Sequence, residues 1–185
     1  MRGLAVVVVA SEDEEVLGLA DSLGIQSCTV PGPFRNGSQR VAKTAAHLGL
    51  SGHATWLAKG RPHVTLKLAM SLDGCIATST GESQWITGAA SRAHGHRERA
   101  RADAILVGGG TLRADNPRLD VRLPGLEARS PRRVALTSGE VPQGWLAIRA
   151  PHEIGKLEGV RYLMVEGGAQ TASAFLAAGL VDRLA

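Results

Sequence analysis

Hydrophobic and polar positions along this chain change period several times, and each change predicts an element. Leu4 to Ala10 form an apolar run read as a strand. Ser11 then stands three residues before Glu14, the spacing of a capping box. Val16, Leu17, Leu19, Ala20 and Leu23 follow as a helical stripe that Gly24 ends. Pro31, Gly32 and Pro33 make Gln26 to Asn36 unable to continue regular structure. Gln39 to Leu50 read as a helix and Ser51 to Pro62 as a connector. From there the period drops to two: Val64, Leu66, Leu68 and Met70 alternate with Thr65, Lys67 and Ala69, a strand signature. A polar loop carries Ser83, Gln84 and Trp85 to a helix from Gly88 to about Ala102, with Thr87 as its N-cap. Ala104 to Val107, Arg132 to Thr137 and Arg161 to Val165 read as further strands. Ser138 to Gly159 is broken by Pro142, Gly144, Pro151, Gly155 and Gly159. Ala169 to Ala178 read as a helix closed by Gly179. Strands alternating with helices predict an α/β fold with a mostly parallel sheet.

Composition narrows this picture. The 185 residues suit one domain, or one domain plus an appended segment. Glycine, at 23 residues, is well above the usual share, which suits strand ends that need tight turns and close backbone approach to ligands. The net charge of +4 is unevenly placed. Glu12, Asp13, Glu14, Glu15 and Asp21 lie near the start, whereas arginines from Arg92 to Arg133 crowd the middle. That middle attracts anions, but it lacks the aromatic platforms of a nucleic-acid binder. A phosphorylated small molecule is the expected partner, with no nucleic acid and no membrane. Cys28 and Cys75 form no metal-ligand or redox spacing and read as plain buried or half-buried thiols. The apolar run at the start is short and cut off by acidic residues, so a cytoplasmic protein is expected.

Three strand ends are candidates for chemistry. Gly108-Gly109-Gly110-Thr111 reads first as a tight structural turn, and second as a phosphate approach with a hydroxyl beside it. It matches neither a dinucleotide fingerprint nor a Walker loop. At Glu166-Gly167-Gly168-Ala169-Gln170-Thr171 a strand feeds a helix N-terminus, which reads equally as an anion site whose glycines leave room for a pyrophosphate and as a close helix–strand packing turn with an exposed Glu. There Glu166 suits a sugar hydroxyl or an amine better than a phosphate. Arg99 and Arg122 can grip a phosphate through their planar forks, and Asn116-Pro117 halts any helix between them. His94 and His96 lack the spacing of a metal pair, and the six histidines read as surface or packing residues. No metal site is expected.

VTLKLAMSLDG, GESQWIT, AILVGGGTLRADNPRLDVR and VEGGAQTASAFLAAGLVD occur in that order. Together they resemble the reductase domain of the bifunctional deaminase/reductase of riboflavin biosynthesis. The resemblance runs from Arg61 to the C-terminus and implies a dihydrofolate-reductase-like α/β fold. It implies NADPH-dependent reduction of 5-amino-6-(5-phosphoribosylamino)uracil to its ribitylamino product. The rival reading is a catalytically inactive, nucleotide-binding remnant of that family. By resemblance, NADPH contacts fall on Ala69, Trp85, Thr111, Asp115, Ser138, Gly168, Ala169, Gln170, Thr171, Ala172, Ser173 and Ala174. Substrate contacts fall on Ser83, Arg99, Leu119, Arg122 and Glu166. No residue stands out as a proton donor, a task that solvent or the substrate's own groups can fill. Residues 1–60 resemble only the tail of the family's deaminase domain and lack its His-x-Glu and Pro-Cys-x-x-Cys zinc site. Residues 61–185 form the reductase domain, without its final strands. A strand is expected over Leu180 to Leu184. Ending at Ala185 leaves a sheet edge open, so a homodimer, or else poor solubility, is expected.

Overall fold

The computed structural model describes residues 8–11, 13–23, 26–29, 40, 43–44 and 50–185. The chain divides into two compact units, Met1–Ala54 and Thr55–Ala185. In the first, strands β1 (Val8–Ser11) and β2 (Gln26–Thr29) pair in parallel, with helix α1 (Glu14–Ser22) between them in sequence. The cap of α1 is Asp13, not Ser11: its carboxylate accepts from the N–H groups of Glu15 and Val16. β2 also corrects the expectation that Gln26 to Asn36 holds no regular structure, since Gln26–Thr29 gains a ladder from β1. Leu4–Val7 and most of Gln39–Leu50 lie outside the described residues.

The second unit is built on a six-stranded parallel sheet of order β6-β5-β4-β7-β3-β8. Its strands are β3 (His63–Leu66), β4 (Ala104–Gly108), β5 (Arg132–Leu136), β6 (Trp145–Ile148), β7 (Tyr162–Val165) and β8 (Arg183–Leu184). The mostly parallel α/β expectation therefore holds. β4 sits at the centre with every residue buried, as a strand covered on both faces must be. Its period of two sorts the core. Ala104 and Leu106 join Val64, Leu163 and Phe175 on one face, while Ile105 and Val107 join Leu112, Trp145 and Met164 on the other. The helices α3 (Ala89–Arg101), α4 (Gly109–Asp115) and α5 (Ala169–Ala177) each follow or precede one of these strands.

Several local expectations are corrected. Ser51–Lys59, read as a connector, is a helix, α2; within it Trp56 lies under the Arg161 guanidinium at 4.1 Å, a tertiary contact that local pattern does not encode. The cap of α3 is Gly88 rather than Thr87, and no side chain bonds there. The triple glycine is not a tight turn but the entry to α4, which ends at Asn116 in a left-handed conformation with φ of 39°. Ser138–Gly159 holds β6 and a 3-10 helix, Pro151–Lys156. β6 is a four-residue edge strand, too short for its alternation to register. β3 stops at Leu66, leaving Met70 exposed, and Cys75 is exposed rather than buried. No described helix is long and apolar enough to cross a membrane.

A clamp secures the two ends of this unit's chain. Asp182, just before β8, accepts both forks of Arg61, at 2.6 and 2.9 Å, and the N–H of Val64 at 2.9 Å. Burial alone would raise its carboxyl, but these bonds outweigh burial and bring it down to about 2.

Chain direction decides where a ligand can enter. After β4 the chain moves outward to β5 and β6, then returns to β7 on the other side of β4 and continues to β8. Connections from β4 and β7 thus leave in opposite directions, which opens a crevice between their carboxyl ends. The two glycine turns, 108–110 and 167–168, lie at that point.

Candidate active site

Two cavities flank the exit of β7. The first, about 460 Å³, lies over the ends of β3 and β7 and against α3. It gathers Ala69, Ser83, Trp85, Arg99, Arg122 and Glu166, six residues singled out from sequence, with Lys67, His96 and Glu98. Trp85 is 72% exposed. The Arg92 guanidinium stacks 4.4 Å from its ring centroid while Nη1 donates to the Thr87 carbonyl at 2.6 Å, so the loop before α3 is pinned to the helix by a cation–π contact and one hydrogen bond. The outer surface of the indole stays open.

The floor of this cavity is an ion pair. Arg99 Nε and Nη2 donate to the two oxygens of Glu166 at 2.9 and 2.7 Å, and Nη1 donates to the Asp120 carbonyl at 3.0 Å. Both side chains are largely buried, 16% and 9% exposed. Burial alone would lower the Arg99 pKa, but Glu166 outweighs it and raises it. Glu166 therefore has an arginine as its partner, and the Arg99 fork is already engaged. Arg122 is freer: it is 60% exposed, with Nε 3.6 Å from Asp120 Oδ1. Its N–H donates to His96 Nδ1 at 3.3 Å, which leaves the ring proton on Nε2. Burial first, then the charges of Arg99 and Arg122, lower the His96 pKa, so the ring is neutral at pH 7. His94 and His96 line the cavity, His94 as an exposed surface residue and His96 packed against the Arg122 backbone, in keeping with their reading as surface or packing residues. Glu98 is buried in the wall and bonds Arg183 and Arg101. Burial would raise its carboxyl; these arginines lower it on balance.

The second cavity, about 490 Å³, lies over the ends of β4 and β5 and the N-terminus of α5. It gathers Thr111, Ser138, Gly168, Ala169, Gln170 and Thr171 from the sequence candidates, and adds Arg113 and Thr137. Its lining includes no carboxylate. The glycines divide into two kinds. A Cβ at Gly108 or Gly167 would fall on the Thr171 side chain, and one at Gly109 would lie 2.7 Å from Thr137 Oγ1. At Gly110 and Gly168 a Cβ meets nothing within 4 Å. Gly108, Gly109 and Gly167 are thus required by packing around two threonines, whereas Gly110 and Gly168 leave open space beside the free N–H groups of α5. That cradle, with one cation and no anion, fits a dinucleotide's phosphates. Asp115 is exposed at the end of α4, Leu119 is buried in the core with φ of 53°, and Ala172 is buried against the sheet. These three, with Ser173 and Ala174, line neither cavity. Arg113 was legible only once α4 was known to start at Gly109, because it then lies four residues on, over the same face.

With that geometry in hand, the relatives can be placed. The RibD C-terminal domain matches residues 62–148. The chain is 40% identical over 146 residues to the riboflavin biosynthesis protein RibD of Mycobacterium tuberculosis, covering 70% of this chain and 43% of that protein. It is 30% identical over 230 residues to RibD of Bacillus amyloliquefaciens, covering 98% of this chain and 59% of that one. Among solved structures, the deaminase/5-amino-6-(5-phosphoribosylamino)uracil reductase of Thermotoga maritima superposes with a TM-score of 0.67 at 27% identity. That match covers 91% of this chain and 53% of the other. The chain spans about half the length of the curated relatives it matches. Through the domain that carries both cavities, it belongs to the RibD C-terminal domain family.

Proposed function

We propose that the Thr55–Ala185 unit carries the reductase half-reaction: NADPH-dependent reduction of 5-amino-6-(5-phosphoribosylamino)uracil to 5-amino-6-(5-phosphoribitylamino)uracil. The observation that carries this reading is the exit of β7, where Glu166 enters one cavity and Gly168 the other, two residues apart. A ligand in each is thereby held against the same turn. Ser83 and Arg122 take the substrate's phosphate above the floor that Arg99 forms, and Glu166, oriented by Arg99, meets its ribose-derived chain. Ala69 and Trp85 bound the place where the two ligands meet. Thr111, Ser138 and the α5 N-terminus take the phosphates of NADPH, which supplies the hydride when bound. The protein's own task is positioning and charge complementarity.

The Met1–Ala54 unit is read as the tail of a deaminase-like domain, supported by a Bacillus match that extends over 98% of the chain. No deaminase activity is proposed for it. A homodimer is the proposed assembly, following the family resemblance. The rival reading, a nucleotide-binding remnant, draws on the engagement of the Arg99 fork by Glu166. An NADPH-oxidation assay with the deaminated pyrimidine intermediate separates the two. Substrate-dependent consumption of NADPH supports the reductase; NADPH binding without turnover supports the remnant.

A further inference from the structure

The segment 119–122, which carries Arg122, belongs to no helix or strand. Leu119 opens it with φ of 53° and sinks into the core, so the chain there has no ladder to satisfy its polar groups. Side chains do so instead. The Asp120 carbonyl accepts from Arg99 Nη1 at 3.0 Å, the Val121 N–H donates to Ser130 Oγ at 3.0 Å, and the Arg122 N–H donates to His96 Nδ1 at 3.3 Å. Two of these partners, His96 and Arg99, stand three residues apart on α3 and share one face of it. The root of the Arg122 side chain is thus tied to the helix whose Arg99 orients Glu166. Its head is held less firmly. Arg122 Nε lies 3.6 Å from Asp120 Oδ1, and among the described residues that buried oxygen receives no hydrogen bond. The other carboxylate oxygen of Asp120 takes Arg118 Nη2 at 2.6 Å. Where the Arg122 fork points therefore depends on where its backbone is fixed.

A sugar phosphate is one covalent ligand, so the cation that meets its phosphate and the glutamate that meets its hydroxyls must keep a constant separation. Both ends are referred to α3: Glu166 through Arg99, and Arg122 through His96. The imidazole suits this task because it can accept at Nδ1 only while that nitrogen carries no proton. The charged groups that act on the ring are Arg99, Arg122 and Asp120. Burial and the two arginines outweigh Asp120 and keep the ring neutral at pH 7. We propose that His96 is a positioning residue of the reductase site: by holding the Arg122 backbone to α3, it sets the Arg122 fork at the reach from Glu166 that a phosphorylated sugar chain requires. This rests on reading Arg122 as the partner of the substrate's phosphate.

A double-mutant cycle in the full chain tests it. Affinities for 5-amino-6-(5-phosphoribitylamino)uracil and for its dephosphorylated counterpart are read by calorimetric titration, and a cooperative thermal transition checks that each variant folds. His96→Leu fills the place of the ring without an acceptor; His96→Ala replaces it if the leucine variant does not fold. Expected is a loss of about five- to fifteen-fold for the phosphorylated ligand, with the dephosphorylated one unchanged within about two-fold. His96→Asn, whose Oδ1 stands near the place of Nδ1, should restore most of that loss. In an Arg122→Ala background, His96→Leu should cost the phosphorylated ligand nothing further, because the group it positions is gone. Equal weakening of both ligands, no recovery in His96→Asn, or additive losses with Arg122→Ala would each overturn the proposal. Arg122→Ala without a phosphate-selective loss would instead defeat the phosphate reading, and the proposal with it.

Discussion

The two cavities differ in how their positive charge is held. In the first, Arg99 is locked to Glu166 and to the Asp120 carbonyl, Arg183 and Arg101 are held by Glu98, and Arg122 leans toward Asp120. In the second, Arg113 has no carboxylate partner and the remaining donors are hydroxyls, the Gln170 side-chain amide and backbone N–H groups. A phosphate entering the second cavity meets donors that bind nothing else, whereas one entering the first must compete with carboxylates already in place. The same residue type therefore serves two ends. Buried and paired, arginine shapes the floor and orients a glutamate; exposed and unpaired, it is left available to an anion. Breaking a buried pair strands a charge, while removing an exposed arginine forfeits only the ligand contact.

The largest expected effect follows from that asymmetry. Arg99→Ala leaves Glu166 buried without its partner and should cost about 3–5 kcal/mol of stability, read from denaturant unfolding. Affinity for both phosphorylated and dephosphorylated substrate analogues should fall with it. A variant as stable as the parent, losing only the phosphorylated ligand, would show that Arg99 is a phosphate clamp and not the floor.

Arg122→Ala should behave differently. Because its side chain is exposed, stability should hold, and only a phosphorylated analogue should bind more weakly, by about 1.5–3 kcal/mol. Equal weakening of both analogues, measured by titration, would remove Arg122 from the phosphate site.

The second cavity is probed through its glycines. Gly108→Ala drives a Cβ into Thr171 and should destabilise by about 1–3 kcal/mol. Adding Thr171→Ala removes the obstructing hydroxyl and should recover most of that loss. Gly110→Ala, with open space around it, should be neutral or stabilising by up to about 0.5 kcal/mol. Similar thermal midpoints for the two single variants would contradict the division of the glycines.

The smallest effect is a pH dependence. His63 and His96 both have pKa values lowered from 6.5, by burial first and then by neighbouring arginines, with nearby carboxylates only partly opposing. The unfolded chain then binds protons more readily than the folded one. Stability is full above 6.5 and declines as pH falls below it. His96→Gln should flatten part of that slope, seen as thermal midpoints compared at pH 7.5 and about 5.5, and an unchanged slope would mean the ring titrates normally. A separate loss opens below 3.8, as Asp182 is protonated on the way to its folded value of about 2.

Periodicity and glycine placement made most of the second unit legible. The alternation in β3, the apolar run of β4 and the step from β7 through two glycines into α5 are local signals, and the structure reproduces them to within a few residues. Elements with weak local signals were missed. α2 carries no apolar stripe, and β6 is four residues between turns; each exists because of what it packs or pairs with.

For the candidate site, the chain alone determined which residue types reach the carboxyl edge of the sheet, since each strand's exit is read from where its alternation stops. Only the tertiary structure decided how they are used. That Glu166 pairs with Arg99, 67 residues away, and that His96 accepts from Arg122 are consequences of folding α3 over the ends of β3 and β7. That Arg113 is left alone beside Thr137 follows from the start of α4 at Gly109 and from β5 lying next to β4. Charge type is a property of the residue, but partnership depends on distances between segments far apart in sequence, and those are set by the packing of the sheet.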